Sequence, residues 1–154
     1  MVVEMSTAVQ VVPFLWVGSD PEPGPALGHI FDRLVLTARE HQYPQTLFPE
    51  LLVLHVPLRD TTPSPVEEQA AIQAGRAVGA WIKREKSVLV TCGQGLNRSC
   101  LVASIGLMTA GYRWLEAVEK VRAARGQLAL RNPYFQRLLR RLEDATTFQL
   151  ASGL

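Results

Sequence analysis

Cys92 and Arg98 are the residues of this chain whose types and spacing most clearly suggest chemistry. The segment reads Cys92-Gly93-Gln94-Gly95-Leu96-Asn97-Arg98-Ser99, so a thiol precedes an arginine by six positions and a hydroxyl follows directly. Glycines let such a loop curl and point successive backbone N–H groups inward, which makes a cradle for an anion. An arginine adds a bidentate fork for two phosphate oxygens, and its positive field favours a thiolate over a thiol. The segment therefore predicts a phosphate-binding loop with a nucleophilic cysteine.

The segments on either side of this loop indicate how it is held. Ser87–Thr91 is an apolar run typical of a buried strand, and Ser99–Ala110 has the small residues of a helix that Gly111 ends. A loop between a strand and the start of a helix gains the helix dipole as further support for an anion. The candidate phosphate-binding residues are Gly93, Gln94, Gly95, Leu96, Asn97 and Arg98. From the composition, such a pattern arises by accident in roughly one chain in a thousand.

The rest of the chain alternates strand patterns with helix patterns. The predicted strands are Val11–Val17 at an edge, Arg33–Ala38, and Leu51–Val56 with the near-continuous apolar character of a central parallel strand. The predicted helices are one that begins with a capping box of Ser64 and Glu67 and runs to Arg84, one at Trp114–Arg125, and one at Pro133–Glu143 capped by Asn132. These elements predict an α/β fold in which residues 1–154 form a single domain. Its central, mostly parallel sheet should have about four to five strands flanked by helices.

Composition and charge exclude several classes of protein. The 154 residues are 47% hydrophobic and 19% charged, as in a globular domain and unlike a disordered chain. Sixteen Lys and Arg against fourteen Asp and Glu leave a net charge of +2, which does not predict the dense cationic face of a nucleic-acid binder. The cysteines and histidines lack metal-ligand spacing, and neither a signal peptide nor a membrane span is evident. We therefore expect a cytoplasmic protein with no metal, cofactor or membrane partner.

The loop Cys92–Ser99 resembles the signature HCxxGxxRS of cysteine-dependent phosphatases, in particular that of the dual-specificity branch. Leu15-Trp16-Val17-Gly18-Ser19 is similar to the opening strand of that family, and Asn132-Pro133-Tyr134-Phe135 is similar to the start of its closing helix. Members carry an acid aspartate upstream of the nucleophile at a comparable distance, and Asp60 stands 32 positions before Cys92. The resemblance covers nearly the whole chain and implies the dual-specificity phosphatase fold.

The resemblance also implies a two-step hydrolysis without a metal. Cys92 would attack phosphorus while Arg98 and the loop amides hold the other oxygens. Asp60 would protonate the departing oxygen and then activate water, and Ser99 would ease departure of the thiolate. The catalytic candidates are thus Cys92, Arg98, Asp60 and Ser99. The implied partner is a phosphorylated protein or peptide, with phosphotyrosine as the first substrate class and phosphoserine or phosphothreonine as additions to it.

Two features of the loop keep other functions open. Thr91 stands where the family has a histidine that supports the loop and the thiolate, so a low-turnover, phosphate-binding pseudophosphatase is one alternative. The string Gly95-Leu96-Asn97-Arg98 also resembles the RNA 5′-triphosphatase branch, whose loop reads HCxHGxNRT, and this makes an RNA 5′-triphosphate end the second substrate class. No basic residue stands at positions 93 to 97, which argues against phosphoinositides.

Two further reactive side chains are assigned to the core. His55 lies within an apolar strand pattern, which predicts a hydrogen-bonded core histidine rather than a catalyst. Cys100 lies in the small-residue helix and is expected to pack in the core, with a redox partnership with Cys92 as the alternative.

Overall fold

The computed structural model describes residues 8–151, with side chains described for residues 8–145, and this part of the chain forms one sheet with helices packed on it. The strands are β1 (Ala8–Val12), β2 (Leu15–Gly18), β3 (Arg33–Ala38), β4 (Leu52–Leu58) and β5 (Val88–Thr91). The helices are α1 (Pro65–Lys83), α2 (Arg98–Thr109), α3 (Trp114–Arg125) and α4 (Pro133–Ala151). The predicted α/β class is confirmed, and the last helix continues eight residues beyond its predicted end at Glu143.

The sheet has five strands in the order β1-β2-β5-β3-β4, and every pairing is parallel except that of β1 with β2. The helices pack against one face, where the inward residues of β2, β3, β4 and β5 join one large core cluster with all four helices. The loops that follow β2 and β3 cover the other face with Phe31, Phe48 and Leu51. The carboxyl ends of β3, β4 and β5 consequently meet at one edge of the sheet, where ligands bind in open α/β folds.

The predicted strand Val11–Val17 is wrong, because the chain turns inside it. β1 ends at Val12 and pairs antiparallel with β2, with Val12 opposite Leu15. Pro13 and Phe14 form the turn, and Phe14 has a positive φ of 73°. The sequence pattern does not indicate this two-residue turn, because apolar residues flank it on both sides. β2 is therefore an interior strand, and β1 is the edge.

β4 is the other edge strand, whereas its apolar sequence predicts a central one. Leu52 is 50% exposed, and His55 is exposed rather than in the core. His55 Nε2 lies 2.6 Å from the carbonyl oxygen of Tyr43, so its ring is hydrogen-bonded but at the surface. Leu54, Val56 and Leu58 pack in the cluster on the helical side, whereas Leu52 and His55 are exposed. The apolar run misleads because it does not show that this strand has a neighbour on one side only.

Helix α2, which follows the loop that begins at Cys92, lies deep in the helical layer. Its packing fixes the position at which that loop ends. Residues Ser99–Leu107 are all buried. A Cβ atom on Gly75 of α1 would lie 2.3 Å from Ile105 Cγ2, and one on Gly79 would lie 2.6 Å from Thr109 Cβ. Helices α1 and α2 can pack this closely because Gly75 and Gly79 have no side chain. None of the described helices is long and apolar enough to cross a membrane.

Candidate active site

A cavity of about 440 Å³ opens at the carboxyl edge of β3, β4 and β5. Residues from the loops after all three strands line it, and they are Glu40, Asp60, Cys92, Gly93, Gln94, Leu96, Asn97 and Arg98. Gly95 and Ser99 lie behind this lining and contact the cysteine sulfur. The structure thus brings all the candidate site residues together, although Asp60 is 32 positions from Cys92 in the chain.

Cys92 lines the cavity and is buried, with only 3% of its surface exposed. The Gly95 backbone N–H donates to Cys92 Sγ at 3.1 Å, and Ser99 Oγ lies 3.3 Å from the same sulfur. The N-terminus of α2 begins six residues later, and its dipole favours negative charge at this point. A backbone amide, a hydroxyl and a helix N-terminus can therefore stabilise a sulfur anion here.

Gly95 is the position at which the loop requires a glycine. Its φ is +69°, and a Cβ atom there would lie 2.6 Å from the Gly18 carbonyl carbon. The Cys92 N–H also donates to the carbonyl oxygen of Gly18 at 3.2 Å. The end of β2 therefore supports the loop from below and leaves no room for a side chain at residue 95.

Arg98 is held by an ion pair with Glu40, a residue that the sequence analysis does not single out. Arg98 Nη1 donates to Glu40 Oε2 at 2.7 Å and to Leu58 O at 3.0 Å, and Arg98 Nη2 donates to Glu40 Oε1 at 2.6 Å. This hydrogen bonding from Arg98 lowers the pKa of the Glu40 carboxyl to about 2. Glu40 is accordingly a carboxylate at neutral pH.

The pair with Glu40 leaves one edge of the Arg98 guanidinium free. The group has five N–H donors in a planar fork, and the contacts with Glu40 and Leu58 use three of them. The Nε–H and the second N–H of Nη2 share the other edge, and neither bonds to any residue that the structure describes. Two oxygens of a phosphate can be bound by that edge while Glu40 keeps the arginine in place.

Two asparagines hold the carboxylate of Asp60. Asn97 Nδ2 donates to Asp60 Oδ2, and Asn132 Nδ2 donates to Asp60 Oδ1, both at 2.9 Å. The Asn132 side-chain oxygen accepts from the N–H groups of Tyr134 and Phe135, which confirms that Asn132 caps α4. The Asn132 backbone N–H donates to Asn97 Oδ1 at 3.1 Å and closes the network. The candidate acid is thereby fixed to both the phosphate-binding loop and the last helix.

The residue before Asp60 is anchored to the start of α1. Glu67 Oε2 accepts from the Arg59 N–H at 2.8 Å, and Glu67 Oε1 accepts from Arg59 Nη2 at 2.7 Å. Glu67 and Ser64 also form the predicted capping box, which is confirmed. The hydrogen bond from Arg59 lowers the pKa of Glu67 to about 2. The capping box therefore positions the loop that carries Asp60 as well as starting a helix.

We expect Glu67→Gln to destabilise the fold by about 2 kcal/mol at neutral pH, the value of a charge-assisted hydrogen bond. The pKa of Glu67 is lower in the folded protein than in the unfolded chain. Its stabilisation is therefore complete above about pH 4.5 and is lost as the pH falls toward about 2. Urea unfolding of both proteins between pH 7 and pH 2 measures the difference, which should shrink over that interval.

Glu68→Gln is the matched control for this experiment. Glu68 lies in the same helical turn and pairs with Arg141 on the surface at 2.6 Å. An exposed pair of this kind contributes less than about 1 kcal/mol. A destabilisation by Glu68→Gln equal to that by Glu67→Gln would contradict a special role for the capping box.

Thr91, which stands at the position of the family histidine, does not bond to the loop. Its hydroxyl is buried and lies 3.4 Å from the carbonyl oxygen of Val35, to which it donates. Thr37 Oγ1 donates to the Thr91 carbonyl oxygen at 2.7 Å. The two threonines thus fix the end of β5 to β3, and the support of the loop comes from other residues.

Cys100 is buried in α2, as predicted. Its Sγ lies 3.5 Å from the Gly95 carbonyl oxygen, and burial raises the pKa of its thiol to about 12. It is therefore a protonated packing residue at neutral pH.

Comparison with known proteins gives a fold likeness without a close sequence relative. No family model matches the sequence, and no curated protein matches it. Among solved structures, human DUSP28 is 25% identical with a TM-score of 0.75, and the match covers 92% of this chain and 95% of that one. A mouse putative dual specificity phosphatase, solved as a complex with zinc tungstate, is 24% identical with a TM-score of 0.82, covering 97% and 94%. The active form of Tk-PTP is 25% identical with a TM-score of 0.73, covering 90% and 97%.

These neighbours match nearly the whole chain and share its arrangement of sheet and helices. The fold is that of the dual-specificity phosphatases. This confirms the resemblance seen in the sequence and supports, in general terms, a cysteine-dependent phosphatase. Human DUSP28, the mouse putative dual specificity phosphatase and Tk-PTP are matched over 95%, 94% and 97% of their own chains, so each is a unit of about the same extent as this one.

Within this dual-specificity phosphatase fold, three residues that shape the site are not marked by any catalytic motif of the sequence. Glu40 carries no motif, and neither does Arg125, whose guanidinium donates to the carbonyl oxygens of Gln94 and Gly95; each lies more than 30 positions from Cys92. Asn132 is recognised in the sequence only as a helix cap. A charged residue within two positions of the end of a predicted parallel strand, as Glu40 is after β3, is the one signal that could have found any of them.

Proposed function

We propose that this protein is a cysteine-dependent phosphatase that hydrolyses phosphate monoesters on proteins. The observation that carries the proposal is the cavity in which Cys92, Arg98 and Asp60 face one another across a space large enough for a phosphate group. Each of the three is held by separate partners, so the constellation is fixed before a substrate arrives. Binding alone requires neither a cysteine at the end of the cavity nor a fixed aspartate at its rim, which argues against a pseudophosphatase.

In the first step, the Cys92 thiolate attacks phosphorus and the bond from phosphorus to the substrate oxygen breaks. Inward N–H groups of the loop and the free edge of Arg98 bind the other phosphate oxygens and stabilise the charge that develops on them. Protonated Asp60 gives its proton to the departing oxygen. The products of this step are the free hydroxyl of the substrate and a phosphate bonded to Cys92.

In the second step, water hydrolyses the phosphocysteine. The Asp60 carboxylate accepts a proton from water while the water oxygen attacks phosphorus. The bond between sulfur and phosphorus breaks, and phosphate leaves. Ser99, at 3.3 Å from the sulfur, can donate a hydrogen bond to the thiolate as it departs. The enzyme returns to its starting state with the proton on Asp60.

The hydrogen bonds that hold Asp60 in place favour phosphate monoesters over a 5′-triphosphate end as the substrate. A tyrosine oxygen has a pKa of about 10 and a serine or threonine oxygen a higher one, so each needs a proton as it departs. When the terminal phosphate of a 5′-triphosphate is attacked, the leaving group is the 5′-diphosphate end of the RNA. This is a much better leaving group and gains little from an acid. The two asparagine contacts that fix Asp60 therefore support monoesters of tyrosine, serine and threonine over a 5′-triphosphate end. Among these monoesters we propose phosphotyrosine as the first substrate, as the resemblance of the loop implies.

A panel assay tests the proposal. We expect turnover of para-nitrophenyl phosphate and of phosphotyrosine peptides, competitive inhibition by vanadate, and no effect of EDTA. The panel includes phosphoserine and phosphothreonine peptides and 5′-triphosphorylated RNA, each with Cys92→Ser protein as the blank.

Three outcomes of the panel would contradict the proposal. Preference for the RNA would assign the protein to the triphosphatase class. Tight vanadate binding without turnover of any substrate would make it a pseudophosphatase. Loss of activity on chelation would require a metal that the mechanism does not include.

A further inference from the structure

Arg125 makes two contacts with the phosphate-binding loop that the mechanism above does not use. It is the last residue of α3 and follows the loop by about thirty positions. Its Nε donates to the Gly95 carbonyl oxygen at 3.1 Å, and its Nη2 donates to the Gln94 carbonyl oxygen at 2.8 Å. One guanidinium from a distant helix thus holds two successive carbonyl groups on the outer side of the loop.

Holding these carbonyls determines where the neighbouring amides point. In a trans peptide the C=O of one residue and the N–H of the next point in opposite directions. Carbonyl oxygens of Gln94 and Gly95 that point outward to Arg125 therefore turn the N–H groups of Gly95 and Leu96 inward. The Gly95 N–H does donate to Cys92 Sγ at 3.1 Å, and Leu96 lines the cavity.

The same part of the loop is closely confined on its other sides. A Cβ atom on Gly95 would lie 2.9 Å from Arg125 Nη2 and 2.6 Å from the Gly18 carbonyl carbon. Cys100 Sγ lies 3.5 Å from the Gly95 carbonyl oxygen. Thr91 gives no support here, because its hydroxyl donates to Val35. The bidentate contact from outside the loop therefore comes from Arg125.

We propose that Arg125 is a positioning residue whose guanidinium orients the Gly95 and Leu96 amides toward the Cys92 sulfur and the bound phosphate. The proposal rests on the proposed function of the site. It assigns Arg125 an effect on oxyanion affinity and on the reactivity of Cys92, although Arg125 does not line the cavity.

Two readouts that need no turnover test this role. One is the affinity for tungstate measured by calorimetry, and the other is the midpoint of the curve of Cys92 alkylation by iodoacetate against pH. Arg125→Met removes both donors, and we expect a tenfold to hundredfold loss of tungstate affinity, on the order expected for misplaced binding groups. The alkylation midpoint should move to higher pH, because the sulfur anion loses an oriented N–H donor.

Arg122→Met is the matched control. Arg122 lies one turn earlier in α3 and also holds two carbonyls, those of Ala129 at 2.9 Å and Leu130 at 3.2 Å, outside the phosphate-binding loop. We expect it to lower the melting temperature as Arg125→Met does and to leave both readouts close to wild type. An equal loss of tungstate affinity in Arg122→Met would overturn the proposal, since the effect would then be one of general stability.

Arg125→Lys keeps the positive charge and is the variant that decides the matter if Arg125→Met does not fold. An ammonium group cannot reproduce the planar two-carbonyl contact, so we expect a loss of tungstate affinity of at least about threefold. Wild-type affinity in Arg125→Lys, or in folded Arg125→Met, would overturn the proposal. Loss of affinity in these variants, with wild-type protein that turns over no substrate, would refute the phosphatase function and leave the positioning role intact.

Discussion

Cys92→Ser should abolish turnover while tungstate binding remains close to wild type. A serine hydroxyl is scarcely ionised at neutral pH and cannot replace the thiolate as nucleophile. Glu40 holds Arg98 without any contact to the sulfur, so the free edge of the guanidinium still binds the oxyanion after the change. Steady-state assay with para-nitrophenyl phosphate measures the first effect, and calorimetry with tungstate measures the second.

Two other variants test whether Cys92 is the nucleophile and whether Arg98 binds the phosphate. Cys100→Ala removes the other thiol, which lies in the core, and should keep turnover and the phosphate adduct seen by mass spectrometry after acid quenching. Arg98→Lys should weaken both turnover and tungstate binding, because a point charge replaces a planar fork that Glu40 holds in place. Turnover by Cys92→Ser at a rate near wild type would rule out covalent catalysis.

Asp60→Asn should lower turnover by about ten- to ten-thousand-fold on a substrate with a poor leaving group, within the range for general acid catalysis. Alkyl phosphates such as phosphoserine peptides are the test substrates, because their oxygen departs only when it is protonated. With para-nitrophenyl phosphate the loss should be much smaller, since that leaving group needs little protonation. The ratio of the two losses is the measurement.

Asn97→Ala is a useful companion to Asp60→Asn. It removes the amide that bonds Asp60 Oδ2 and leaves the Asn132 contact to Oδ1. We expect a smaller loss than for Asp60→Asn, with the same dependence on the leaving group, because the acid remains but is less well fixed. If Asp60→Asn slows both substrates equally, Asp60 shapes its loop and is not the acid.

The local part of the site could be predicted from the sequence. Cys92 to Ser99 are contiguous, and the strand before them and the helix after them impose the geometry of the loop. The spacing of glycines, arginine and hydroxyl therefore carries its chemistry without reference to the rest of the chain. The start of α1 was predictable for the same reason, since a capping box involves residues only three positions apart.

Strand order and edge position followed only from the tertiary structure. The apolar run at Leu51–Val56 predicts a central strand, but β4 lies at an edge, because a residue pattern does not record which strands lie beside it. The turn at Pro13 and Phe14 lies between apolar residues on both sides, so the pattern does not mark it.

The partners that fix each site residue were likewise decided by the topology. Glu40 reaches Arg98 because β3 and β5 are neighbours and end at the same edge of the sheet. Asn132 reaches Asp60 across 72 positions, and Arg125 reaches the loop carbonyls across about thirty, through helix packing that no local pattern encodes. The sequence by itself determined which groups can react, because reactivity belongs to residue type and local spacing. Only the tertiary structure decided how those groups are held, because the residues that hold them come from distant segments whose packing brings them to one edge.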